Sequence, residues 1–217
     1  MPTPVTEIAY LTLKPDIDIS DSSDAAKAWK DGLAIITKQE GYQGSSYGRA
    51  MESPELLMWF IDWDSHASHI KFTQAPAYED FRALVGGIMT GVHYHHIAFQ
   101  PFPPKILTLA PVIEFATFLD TKPHFIDNVS KFMKGIGVPE KCYGGVWGES
   151  VEGDVGKHVV DGDGGSVKGR AVVLVIGWES REAHMLFRET ESFRENVGLL
   201  REGMGGVEMF HVPFTAA

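Results

Sequence analysis

The sequence predicts an α+β chain of two tandem βαββαβ repeats whose antiparallel sheets pack face to face, and three observations carry that prediction. The segment Trp63-Asp64-Ser65-His66-Ala67-Ser68-His69-Ile70-Lys71-Phe72 returns as Trp178-Glu179-Ser180-Arg181-Glu182-Ala183-His184-Met185-Leu186-Phe187. Its surroundings return too: residues 5–9 as 112–116, Tyr47-Gly48 as Trp147-Gly148, and Pro101-Phe102 as Pro213-Phe214. Two runs, 56–61 and 171–176, hold no polar side chain, so neither strand can leave one face to water. Finally, helical and strand periodicities follow one another in the same order in both parts. A part of about a hundred residues can bury a core of its own.

The first repeat is expected over residues 1–102. Residues 7–13 alternate as a strand, and 25–39 place apolar side chains at 29, 33 and 36, which is helical spacing. Asp21, Ser22, Ser23 and Asp24 are candidate N-caps, and Gly41 lies just past the helix end, where a left-handed residue is wanted. Residues 43–51 and 56–63 form a hairpin about Glu52-Ser53-Pro54-Glu55. Ser65 or Asp64 caps a second helix that starts at His66, breaks near Pro76 and resumes over 78–85, and a last strand covers 92–99. The run Gln100-Pro101-Phe102-Pro103-Pro104 lacks three backbone N–H groups and cannot continue a sheet interior, so a linker is expected at 103–111. The second repeat, 112–217, follows the same order with strands at 113–119, 143–149, 170–178 and 207–213 and helices at 125–136 and 180–200. An insertion at 152–169 lengthens its hairpin.

The pattern strand-Trp-x-Ser-x-x-x-His-x-x-Phe, followed by Pro76-x-Tyr78-x-x-Phe81, resembles the dimeric α/β-barrel superfamily, and within it the antibiotic-biosynthesis-monooxygenase-type (ABM) domains in a tandem two-domain form. The resemblance covers essentially the whole chain. It implies ferredoxin-like repeats whose two sheets pack as an intramolecular dimeric α/β barrel. It also implies one of several chemistries, since cofactor-free monooxygenases, cyclases, isomerases and haem-degrading enzymes share this fold. In the similar plant polyketide cyclases a Tyr and a His act at positions matching Phe72 and Tyr78; neither residue type is kept here.

Composition narrows the partners. The net charge of −10 with no local Lys/Arg cluster disfavours nucleic acid and anionic membrane, and no apolar run approaches a membrane span. The N-terminus has no leader pattern, so a cytoplasmic protein is the expectation. Cys142 is the sole cysteine, which rules out an internal disulfide and a cysteine metal cage. Phosphate-cradling, dinucleotide and nucleophile-elbow motifs do not occur.

His69 and His184 recur at one position of both repeats, three residues before a Phe, on one helical face. They are candidates for acid/base work or for ordering the helix start. The run Val92-His93-Tyr94-His95-His96 puts His93 and His95 on one strand face and Tyr94 and His96 on the other. A His-x-His pair seats a metal only with a third ligand, for which His69, Glu7 or Asp62 would have to serve; no metal and no cofactor is the expectation. The second repeat carries 206–210 at that place, without histidine, so this feature reads as unduplicated. Tyr78 completes the catalytic candidates His69, His93, His95 and His96, and Tyr10, Tyr47, Trp59, Phe72, Phe81 and His184 are candidate substrate contacts. Glu7 and Glu114 recur on a strand, and burial would raise their pKa. Asp161-Gly162-Asp163-Gly164 is similar to the start of a calcium loop, but Ser166 and Val172 stand where that loop needs Gly and Glu.

The expected function is cofactor-independent, acid/base-assisted cyclisation or isomerisation of a hydrophobic polyketide, aromatic or terpenoid intermediate. A cofactor-free monooxygenase of an electron-rich phenol and a non-catalytic ligand-binding or stress-response barrel stay open. So does a homodimer of the tandem chain.

Overall fold

Alternation makes the core. In the computed structural model, which describes residues 3–158 and 167–217, strand β3 (Leu56–Trp63) sends Leu56, Met58 and Phe60 to one side and Leu57, Trp59 and Ile61 to the other. All six are buried. The first set meets the facing sheet, and the second lies under helices. Strand β9 (Val172–Trp178) divides in the same way, Val173 and Val175 inward and Val172, Leu174 and Ile176 under its own helices. At about 1.5–3 kcal/mol for each fully buried large apolar side chain, the inward sets favour bringing the repeats together and the outer sets hold each repeat's helices to its own sheet.

The first repeat runs β1 (Val5–Leu13), α1 (Asp24–Ile36), β2 (Tyr42–Arg49), β3, α2 (His66–Thr73), α3 (Ala77–Gly86) and β4 (Met89–Gln100). After a short α4 (Ile106–Leu109), the second runs β5 (Val112–Leu119), α5 (Phe125–Ile136), β6 (Cys142–Ser150), a small hairpin β7–β8 (Val155–Gly156 and Lys168–Gly169), β9, α6 (Arg181–Phe187), α7 (Glu191–Asn196), β10 (Gly206–Val212) and β11 (Thr215–Ala216). Ser23, Ser65 and Ser180 cap α1, α2 and α6, each hydroxyl accepting from the backbone N–H three residues on. The single helix expected at 180–200 is instead divided. Thr190 is extended (φ −76°, ψ 157°) and its hydroxyl accepts from Phe193 N, which starts α7 afresh, and a 3-10 turn follows at Val197–Leu200. The stretch expected as linker at 103–111 contains α4, and Gln100 still pairs within β4.

Apart from the β7–β8 hairpin, the strands form one sheet in the order β10-β5-β9-β6-β4-β1-β3-β2-β11. Two seams join the repeats: β4 with β6, from Ile97↔Ser150 to Gln100↔Trp147, and β11 with β2, at Thr215↔Tyr47. Only Pro213 and Phe214 separate β10 from β11, the two ends of that order, so the sheet curls round on itself as a barrel. At each seam a repeated glycine allows the backbones to meet. A Cβ on Gly48 would strike the Pro213 carbonyl oxygen, and one on Gly148 the Ala98 carbonyl oxygen. This accounts for the recurrence of Tyr47-Gly48 as Trp147-Gly148. Among the described residues no helix is long and apolar enough to cross a membrane.

Candidate active site

Glu7 on β1 stands opposite His96 on β4 in the sheet register, and the start of α2 fixed by Ser65 brings His69 between them. Trp63 Nε1 donates to Glu7 Oε2 at 3.0 Å, and the same oxygen lies 3.4 Å from His69 Nε2. His69 Nδ1 and His96 Nε2 share a hydrogen bond of 2.7 Å. Beyond it, His96 Nδ1 donates to Glu152 Oε1 at 2.6 Å, and the His96 backbone N–H to Glu152 Oε2 at 2.9 Å. Glu152 belongs to the other repeat.

The second repeat holds the mirror set. Trp178 donates to Glu114 (2.9 Å), His184 Nε2 lies 3.4 Å from Glu114, His184 Nδ1 pairs with His211 Nε2 (2.8 Å), and His211 Nδ1 donates to Glu52 of the first repeat (2.5 Å). The expectation that the histidine strand has no counterpart is therefore wrong for His96. The spacing of 115 residues that relates Trp63 to Trp178 and His69 to His184 also relates His96 to His211, a signal readable in the sequence. Neither His69 nor His184 serves to order its helix start; the serine caps do that.

Burial pushes the Glu7 and Glu114 carboxyls up to about 7. It pushes His69 and His184 down to about 3, with the neighbouring imidazole adding to the effect. Glu152 goes the other way: partial burial opposes its charge, but the ring and backbone hydrogen bonds from His96 hold it at about 2. Glu152 accepts from His96 Nδ1–H, and in the tautomer where His69 Nδ1–H donates to His96 Nε2 the lone pair of His69 Nε2 faces Glu7.

The first chain of groups opens onto a cavity of about 200 Å³. Glu7, Ala9 and Leu11 of β1 and Trp59 and Ile61 of β3 line it from the sheet, His69 and Phe72 from α2, Tyr78, Phe81 and Arg82 from α3, and Val92 and Tyr94 from β4. Phe72 meets Tyr78 and Phe81 edge-on at 5.2 and 5.4 Å, and the Arg82 guanidinium sits 5.9 Å from the Tyr78 ring centre. The buried Trp59 Nε1–H has no hydrogen-bond partner. In the second repeat Phe193 replaces Tyr78. It packs on Phe187 (5.5 Å) and Phe132 (6.4 Å), and Leu199, Leu200 and Met204 pack against the same cluster, filling the equivalent space.

The candidates separate by sheet face. His69, Tyr78, Trp59, Phe72 and Phe81 meet at the cavity, with His96 behind His69. His184 lies in the filled second repeat, and Tyr47 lies outside the lining, edge-on to Trp29 at 5.1 Å. Tyr10, His93 and His95 point into the barrel. Tyr10 bonds Thr117 (3.0 Å) and stacks on His158 (5.3 Å), and lies 5.7 Å from both His93 and His95. His95 is buried with neither ring nitrogen bonded, and burial holds it down to about 3. His93 and His95 therefore do not reach the cavity, nor do Glu7 and His69 reach them as metal ligands across the sheet; Asp62 is held by the Thr6 hydroxyl at 2.6 Å. None of the three strand histidines is exposed. Arg82, Glu152, Glu52 and His211 are not among the site residues read from the sequence, and Tyr94 is placed there only by its strand face. The sequence similar to a calcium loop, 161–166, lies outside the described residues.

This is a tandem dimeric α/β barrel of ferredoxin-like repeats, the fold that the sequence resemblance implies. Solved structures share it over the full chain. An anthrone oxidase-like protein is 14% identical with a TM-score of 0.66, covering 99% of this chain and 94% of its own. A candidate monooxygenase from Fusobacterium nucleatum is 11% identical (TM-score 0.62, 99% and 94% covered), and one from Lactobacillus acidophilus NCFM is 15% identical (TM-score 0.60, 99% and 96%). No family model and no curated protein matches the sequence.

Proposed function

We propose that the chain is an enzyme that takes a proton from a flat, hydrophobic, weakly acidic small molecule in the first-repeat cavity and lets the resulting anion react with O2. One observation carries this reading: of two duplicated Glu–His–His–Glu chains, the first ends in an aromatic-walled cavity and the second in packed side chains. The 3.4 Å separation from Glu7 is long for a hydrogen bond, so the His69 Nε2 lone pair is available to a substrate proton. As Nε2 takes that proton, Nδ1 passes its own to His96 Nε2, and the positive charge comes to rest beside the Glu152 carboxylate. His69 changes tautomer and stays neutral, so no charge is lodged in its buried ring. A neutral Glu7 supplies a hydrogen-bond donor to a developing substrate oxyanion.

The full-length structural neighbours, monooxygenase candidates and an anthrone oxidase-like protein, favour oxygenation over the cyclisation or isomerisation expected from sequence. An anthrone suits the chemistry: its acidic methylene loses a proton to give a delocalised anion. Reaction with O2 then leaves one oxygen atom as the new carbonyl and the other in water.

The test is oxygen uptake with anthrone as probe, above the uncatalysed rate. Uptake matching anthraquinone formation is expected, with His69→Ala lowering kcat by about 10²–10⁴-fold. Conversion of a probe without oxygen uptake would favour the rearrangement reading. Binding without any conversion would leave a ligand-binding barrel.

A further inference from the structure

The solvent end of the first relay differs from the second in its charges. At the spacing that relates the repeats, His66 stands where the second repeat has Arg181, and Thr73 where it has Arg188. Arg181 pairs with Glu52 at 3.4 Å, and both guanidiniums act on His184. The first repeat has neither. Instead the His66 ring lies edge-on to His96 at 4.5 Å, and ligand atoms of His66, His96 and Glu152 all fall within 4.8 Å of one another.

We propose that His66, His96 and Glu152 form a binding site for a borderline first-row divalent cation, with Zn²⁺ as the reference ion and water completing its coordination. Two imidazoles and one carboxylate are a donor set that suits such ions better than Mg²⁺ or Ca²⁺. The ion takes the place of the proton between His96 Nδ1 and Glu152 Oε1; the ring proton moves to His96 Nε2, which then donates to His69 Nδ1, and the same two outer atoms become ligands. Two ligands about 2.1 Å from a tetrahedral Zn²⁺ stand about 3.4 Å apart, so the present 2.6 Å must open by about 0.8 Å. Glu152 and His66 are half-buried and can give; His96 is fixed in its strand.

An outer shell is already in place. The His96 backbone N–H orients the second Glu152 oxygen, and His96 Nε2 is held by His69, itself beside Glu7. A second grouping, Glu7, His69 and His96, is enclosed, and its use would break the 2.7 Å bond between the imidazoles. The outer site keeps that bond. His96 and Glu152 also belong to the proposed relay, and an ion on His96 Nδ1 would hold that relay in the opposite tautomer, so an occupied site opposes the proposed reaction while ion binding is read without it.

The test is titration of the tag-free full chain with Zn²⁺ by calorimetry, and with Co²⁺ by its visible absorption. One ion per chain is expected. His66→Arg, which copies the second repeat, and Glu152→Gln should each weaken binding at least tenfold. The double variant Arg181→His/Arg188→Thr should raise the stoichiometry from one to two by building the site beside His211 and Glu52. Thermal melts with and without Zn²⁺ separate lost binding from lost folding: the ion should raise the Tm of the unsubstituted chain and not that of folded His66→Arg. No Zn²⁺ binding by the unsubstituted chain, or undiminished binding by His66→Arg, overturns the proposal.

Discussion

Glu152 accepts from His96 twice across the seam between the repeats, 2.6 Å from the ring and 2.9 Å from the backbone, and Glu52 does the same for His211 from the opposite side. Each repeat thus supplies the carboxylate that completes the other's histidine pair. Main-chain bonds run alongside, from Val151 N–H to the His96 carbonyl and from Met51 N–H to the His211 carbonyl, at 2.9 and 2.8 Å.

These crossed contacts should be stabilising in both halves, whatever the chemistry of the first. Glu52→Ala leaves a buried imidazole and a backbone N–H without their acceptor, and about 1.5–3 kcal/mol should be lost in urea denaturation. Glu52→Gln, which keeps an acceptor, should lose less. Equal stability of all three proteins would show that the carboxylate contributes nothing.

Glu114 should contribute stability that falls as pH rises towards neutrality, against the buried His69, His95 and His184, whose contribution grows over the same range. Burial lifts its carboxyl from an ordinary 4.5 to about 7, with the Trp178 N–H pulling weakly the other way. The folded state therefore holds the proton more tightly than the unfolded one. The stabilising contribution is complete below 4.5 and is lost as pH climbs through about 7. Glu114→Gln should flatten the Tm-against-pH curve across that window; an unchanged slope would mean the group ionises freely.

Gly48→Ala and Gly148→Ala should each destabilise by about 1–3 kcal/mol, because the new methyl meets a carbonyl oxygen of the neighbouring strand. Gly86→Ala, at the end of α3 with open space around it, should be neutral or mildly stabilising. Thermal melts of the three variants check the contrast.

Leu11→Phe copies Phe118, the side chain at the matching strand position of the second repeat, and should fill the cavity from its floor. Binding of anthraquinone, followed by quenching of tryptophan fluorescence, should weaken at least tenfold while the Tm stays close to that of the unsubstituted chain. Unchanged binding would place the ligand elsewhere.

Much of the fold was legible because duplication and strand periodicity are local. Runs such as 56–61 declare burial on both faces, and the Trp-x-Ser-x-x-x-His-x-x-Phe segment declares a strand running into a capped helix. That same two-sided burial hid the site. With β1 buried on both faces and histidine on both faces of β4, parity says that His93 and His96 diverge but not which of them faces the helices. Glu152 and Glu52 were invisible for another reason: they sit in hairpins, and only closure of the barrel carries each to the other repeat. The break at Thr190 was hidden because residues on both sides of it keep helical spacing.

The closed chain of Pro213 and Phe214 between β10 and β11 makes one polypeptide of what two identical subunits would otherwise build. In a symmetric pair, any substitution appears twice, and a side chain that plugs one pocket plugs both. Here Phe193 can seal one side while Tyr78 keeps the other open, and Arg181 can fix a charge where His66 leaves a ligand. Fusion gives each half its own evolutionary fate while the halves still depend on each other to fold.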